Sequence, residues 1–268
     1  METDAIAAAS CVSAPPAMTT PAPWPIFMRI TSDTLKAHGL RAAPRRRPTT
    51  EPAAPVDWPY SPLEIRADLL IHGLGLCFGL SAVLPLLAAL VRLQDMQQRA
   101  AVTIYLIGLL TALGTSAAFN LWPISPTKWL LRRFDHAAIY LLIAGTYMPF
   151  IVKAEQPDVR LVFLVSVWSA TAAGVALKLF VPGRYDGLSI VAYLLMGWCG
   201  LTLCNGQAAA LPASVSRLMI AGGVSFSVGI VFHLWRRLRF QNAIWHCFVL
   251  AGIVLHYLAI LRIANDHA

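Results

Sequence analysis

Charge is scarce in this chain. Only 13% of its 268 residues are Asp, Glu, Lys or Arg, against roughly a quarter in soluble domains. With 57% apolar residues, that deficit excludes an ordinary soluble globular domain and points to a polytopic membrane protein. Acidic residues are the scarcer sign, 13 against 21 basic, for a net charge of +8. The excess is not the footprint of a nucleic-acid binder. The basic residues stand in the N-terminal tail and at the ends of apolar runs, where charge sets membrane orientation.

Other absences narrow the class. The five cysteines form no disulfide framework: Cys11 lies in the tail, and Cys77, Cys199, Cys204 and Cys247 lie in apolar runs, where buried free thiols are expected. No run alternates apolar and polar residues, which excludes membrane strands. No run carries a polar stripe along its whole length, which argues against a water-filled pore. No secretory leader is expected, because Glu2 and Asp4 lead the chain and Pro15 and Pro16 break any apolar core near the start.

What the chain does have is seven long apolar runs, at residues 69–93, 101–121, 134–152, 159–181, 187–203, 214–235 and 244–263. A hydrocarbon core about 30 Å thick needs about 20 such residues per helix. Backbone facing lipid must satisfy its own hydrogen bonds, so these runs predict helices. Polar or Pro/Gly-containing breaks at 94–99, 123–133, 153–158 and 182–186 separate them, and the fifth run is the shortest. The expectation is an all-α, seven-transmembrane helix bundle over residues 63–268. Residues 1–62, rich in Pro, Ala and Arg, read as a disordered tail.

An odd number of spans puts the termini on opposite sides. One side would hold Arg45, Arg46, Arg47 and Arg66, with loops carrying Lys128, Arg132, Arg133, Lys178, Arg184, Arg236, Arg237 and Arg239. The other would hold Arg92, Arg99, Lys153, Arg160, Arg217 and Arg262. The first, more basic side is expected to be cytoplasmic, with the N-terminus in and the C-terminus out. Arg132 and Arg133 read as topology anchors there.

That orientation sorts the polar residues within the spans to one depth. Glu64, Asp68 and His72 share a helix face at i, i+4 and i+8. Ser116 and Asn120 end the second span, Asp135 and His136 open the third, His233 ends the sixth, and Asn242 and His246 open the seventh. His256 is the exception, about 15 Å deeper at 1.5 Å per residue. Polar groups converging from several helices are how bundles build metal and catalytic sites.

These residues resemble a known family. Glu64-x-x-x-Asp68-x-x-x-His72-Gly73, Ser116-x-x-x-Asn120, Arg133-Phe134-Asp135-His136 through Gly145-Thr146-Tyr147-x-Pro149-Phe150, and Asn242-x-x-x-His246 with Trp245 are similar to the hemolysin III-like proteins. Those are the bacterial branch of the progestin and adipoQ receptor superfamily. The resemblance covers the membrane part and implies a seven-helix bundle, N-terminus in, in a bacterial plasma membrane. It also implies a site like that of membrane ceramidases, with zinc held by three histidines and a third-helix carboxylate holding the zinc-bound water. Matched residue by residue, the carboxylate is Asp135, one ligand is His246, and the other two ligand positions hold Asn120 and Asn242. Zinc prefers imidazole, thiolate and carboxylate donors, and a neutral amide oxygen suits harder cations better.

Three functions are expected in turn. The first is a non-enzymatic membrane protein with an altered metal site, binding a membrane lipid or small apolar molecule, or sharing the hemolytic role the family name records. The second is a metal-dependent hydrolase of lipid amide bonds, with Asp135 as general base, His246 as ligand and Ser116 assisting. The third, a proton-coupled transporter using Asp68, His72, Asp135 and His256, lacks broken helices in matching halves. Glu64, Asp68, His72 and His136 complete the expected polar cluster.

Overall fold

The computed structural model describes residues 60–205 and 211–266, with side chains between 201 and 205 excepted. The tail expected over 1–62 falls outside this range apart from its last three residues. The described residues form seven helices: α1 (Pro62–Arg92), α2 (Met96–Leu121), α3 (Pro126–Ile151), α4 (Pro157–Phe180), α5 (Asp186–Asn205), α6 (Ala213–Leu234) and α7 (Gln241–Asn265). All but α5 are long and apolar enough to cross a membrane, and α5 is a shorter apolar helix. The protein is thus an all-α, multi-pass membrane protein in a lipid environment.

Several helices start earlier than hydropathy predicts, because local capping rather than apolarity sets their first turn. Ser61 and Glu64 close a capping box across Pro62, which satisfies backbone donors that would otherwise be orphaned. Ser125 caps α3 with Pro126 at its first position. The break expected over 123–133 is therefore mostly helix, and Lys128, Arg132 and Arg133 ride on its first turns.

Neighbours in sequence pack as neighbours in space, and α1 also packs on α7, closing the bundle. Helix α3 touches α2, α4, α5 and α7 and so occupies the middle. Its apolar window is 67% buried, against 17–39% for the other spans. Gly108 and Gly145 let α2 and α3 approach: a Cβ on Gly145 would stand 3.2 Å from the Ile104 carbonyl oxygen. The core here includes Leu86, Tyr105, Leu109, Phe150, Ile151 and Ile260. The outward faces stay apolar, as Leu80, Leu84, Val91, Val162 and Val231 show, which is what lipid requires in place of water.

Two end contacts fix the sense of the outer helices. The Phe240 N–H donates to Glu64 Oε1 at 3.0 Å, and Arg92 Nη2 donates to Asn265 Oδ1 at 2.7 Å. Helices α1 and α7 therefore run parallel, so α1 begins and α7 finishes at opposite ends. The cysteines depart from the expected burial: Cys77 and Cys247 are exposed on the outer faces, and Cys199 is half-buried.

Candidate functional site

The polar residues of α1, α2 and α7 meet at the end where α1 begins, and Asp68 is the hub. Its Oδ1 stands 2.8 Å from His246 Nδ1, and its Oδ2 accepts from Asn242 Nδ2 at 2.8 Å. Its backbone carbonyl accepts from His72 Nδ1 at 2.7 Å. A carbonyl can only accept, so His72 carries its proton on Nδ1 and leaves Nε2 as an acceptor. That nitrogen receives Asn120 Nδ2 at 3.0 Å and lies 3.3 Å from Ser116 Oγ. The Asn120 amide also donates to the Ser116 carbonyl at 2.9 Å. The two imidazoles stand edge to face, 4.3 Å between centroids.

Helix periodicity explains the convergence. Asp68 and His72, Ser116 and Asn120, and Asn242 and His246 are each four residues apart and so share a face. The parallel run of α1 and α7 then sets Asp68 opposite the pair from α7. Asp68, His72 and His246 can each offer a ligand atom, all within 4.8 Å of one another. Donors around a tetrahedral zinc stand about 3.3 Å apart, given bonds of about 2.0–2.1 Å. The donor set, one carboxylate and two imidazoles, suits a divalent transition metal. Each histidine also gives its Nδ1 side to an oxygen of Asp68, the arrangement that orients imidazole ligands.

The other candidates sit around this hub. Asp135 on α3 reaches the Ser116 side chain and lies in the field of His246, so it flanks the cluster from the bundle's centre. Glu64 lies one turn before Asp68 but serves elsewhere: the Ser61 N–H and hydroxyl donate to its Oε2, each at 2.8 Å, while its Oε1 holds Phe240. The backbone carbonyl of His136 accepts from the Tyr193 hydroxyl of α5 at 2.8 Å. His233 packs on Trp245, 5.0 Å between ring centroids. His256 stands apart, 3.1 Å from the Met219 carbonyl oxygen.

Two features around the site were not readable from one helix at a time. Lys128 is buried and donates to the carbonyls of Phe119, Asn120 and Trp122 at 2.8, 3.2 and 2.8 Å. It thereby caps the end of α2 that carries Asn120. Asp186 bridges Arg132 at 3.1 Å and Lys178 at 2.7 Å, tying α3, α4 and α5 together. Arg132 is thus a bonded strut as well as a basic residue at the membrane edge, and Arg133 Nη1 donates to the Leu179 carbonyl at 3.4 Å.

The family model described as haemolysin-III related matches residues 66–257. The chain belongs to the haemolysin-III family. It is similar to the hemolysin-3 homolog of Bacillus subtilis, 32% identical over 195 residues, covering 73% of this chain and 92% of that one. It is also similar to hemolysin-3 of Bacillus cereus, 30% identical over 195 residues, covering 73% and 89%. A more distant relative is the monocyte to macrophage differentiation factor of Homo sapiens, 26% identical over 176 residues, covering 63% and 72%. No solved structure matches. The matched region contains the whole Asp68 cluster, so the hub of this haemolysin-III protein lies within the shared domain.

Proposed function

We propose that this haemolysin-III protein is a non-hydrolytic membrane protein whose altered metal site holds a divalent cation on Asp68, His72 and His246. That site adjoins the position of a bound lipid or small apolar ligand. The carrying observation is the 2.8 Å Asp68–His246 pair with His72 beside it. Asn120 and Asn242 then act as hydrogen-bond partners of the ligands, where the family resemblance implies imidazoles. A cation on His72 Nε2 would displace the Asn120 hydrogen bond, which weakens binding relative to an imidazole at that position. The membrane domain is taken as residues 63–268, after a tail over 1–62. The proposed orientation is N-terminus in and C-terminus out, because the α1 start shares its end with Lys128, Arg132, Arg133, Arg236, Arg237 and Arg239.

The test is metal analysis of the purified chain after equilibration with zinc and removal of free ion. Retention near one ion per chain supports the reading; retention no higher than in a variant lacking both His72 and His246 overturns it.

A second reading, a metal-dependent amidase acting on a lipid such as ceramide, draws on one observation. Asp135 reaches Ser116 and lies in the field of His246, where a carboxylate could take a proton from water. When bound, the cation would supply Lewis acidity and a more acidic water. Ceramide turnover by the wild type, lost in Asp135→Asn, would favour this reading over the first.

A further inference from the structure

The turn between α6 and α7 borders a half-open cavity that the Asp68 site does not use. It has a volume of about 380 Å³ and is lined by Tyr60, Glu64, Arg236, Arg237 and Arg239 among others. Ligand pockets begin at about 300 Å³. The turn is held by its own backbone: Leu238 N–H donates to Trp235 at 3.0 Å, and Gln241 N–H donates to Leu238 at 3.2 Å. Phe240 adopts the left-handed conformation, φ 61°, which is costly for a bulky residue. Its bond to Glu64 holds it there.

The charges in this cavity are unbalanced. Its one carboxylate, Glu64, is already engaged by Ser61 and Phe240. Among the described residues, no side-chain hydrogen bond or ion pair is made by Arg236, Arg237 or Arg239. Arg239 instead lies over the Phe240 ring, 5.0 Å from its centre. All three arginines are exposed, so their forked N–H groups are free to take an anion. Tyr60 lines the same cavity.

The neighbourhood says which anion. Leu234 and Trp235, at the start of the turn, are 58% and 54% exposed. A Trp beside exposed apolar residues at a helix end marks the headgroup level of a bilayer. Planar guanidinium forks match phosphate oxygens two at a time. A headgroup carrying an ammonium would set that charge against the guanidiniums. We infer that this cavity binds the phosphate of an anionic phospholipid headgroup, independently of whether the Asp68 site holds a cation.

The test is native mass spectrometry of the full chain released from nanodiscs of phosphatidylglycerol and phosphatidylcholine in equal amounts. The wild type should retain phosphatidylglycerol in preference by at least about tenfold, as expected for several basic contacts at a membrane surface. The triple variant Arg236→Gln, Arg237→Gln, Arg239→Gln should fall to near parity. The matching triple Lys variant keeps the charge but loses the fork and should retain only part of the preference. Arg217→Gln, exposed at the opposite end of α6, should change nothing. Equal retention by the wild type, or a preference that survives the Gln triple, overturns the inference. Full retention by the Lys triple also overturns it, because diffuse charge would then suffice. Displacement of the lipid by inorganic phosphate overturns it in favour of the free ion. If the Gln triple fails to fold, Arg237→Gln alone carries the same comparison.

Discussion

Asp68 on α1 and His246 on α7 meet at 2.8 Å, carboxylate oxygen to ring nitrogen, across 178 residues of sequence. The same carboxylate holds Asn242, and the same residue's carbonyl orients His72. One side chain and one peptide group therefore fix three neighbours on two helices.

Removing the charge at this hub should be felt by both histidines. Asp68→Asn keeps the shape but loses the anionic partner. Zinc affinity should fall by at least about tenfold to a hundredfold, the range seen when partners of metal ligands are removed, because Asp68 would both hold the cation and orient the histidines. Isothermal titration of detergent-solubilised protein measures it, and an unchanged affinity would remove Asp68 from the site.

Restoring imidazoles should strengthen the same site. Asn120 already reaches His72 at 3.0 Å, and Asn242 reaches Asp68 at 2.8 Å. The double variant Asn120→His, Asn242→His should tighten zinc binding by roughly tenfold or more, since imidazole is a preferred zinc donor. If the double variant binds no better than wild type, positions 120 and 242 do not face the cation.

Lys128 satisfies three carbonyls at the end of α2 while lying 3% exposed. Lys128→Met keeps most of the stem and removes the donors. The expected loss is about 2 kcal/mol, in the range for hydrogen bonds to charged groups. Thermal unfolding in detergent reports it, and a wild-type midpoint would show the cap to be dispensable.

Asp186 answers two cations at once. Asp186→Asn leaves Arg132 and Lys178 largely enclosed and facing each other. Breaking such a pair costs about 3 kcal/mol, and adding Arg132→Glu, which sets a carboxylate beside Lys178, should restore part of it. Equal stability of Asp186→Asn and wild type, by the same unfolding measurement, would mark the bridge as surface screening only.

Much of this architecture was readable in the chain. The seven apolar runs, the short fifth one and the gathering of polar residues at one end come from hydropathy and helical spacing. The family came from the Asp135 to Phe150 block and the spaced pairs around it. Contact between helices could not be read. Asp68 appeared only as the middle of a face with Glu64 and His72, because spacing relates residues on one helix and says nothing about α7. Glu64 looked like part of the cluster for the same reason, yet it holds the α6–α7 turn. The start of α3 was hidden because Lys128, Arg132 and Arg133 depress hydropathy there, while Ser125 and Pro126 form the turn regardless.

The central position of α3 has a consequence for how the protein is made. Partners that hold its polar start follow it in the chain: Asp186, which answers Arg132, and Tyr193, which bonds the His136 carbonyl, both belong to α5. A charged group entering the bilayer unaided is disfavoured by about 2.5–3.5 kcal/mol at mid-depth and less near the edge. Helix α5 therefore completes the seat of α3 with residues that lie later in the chain.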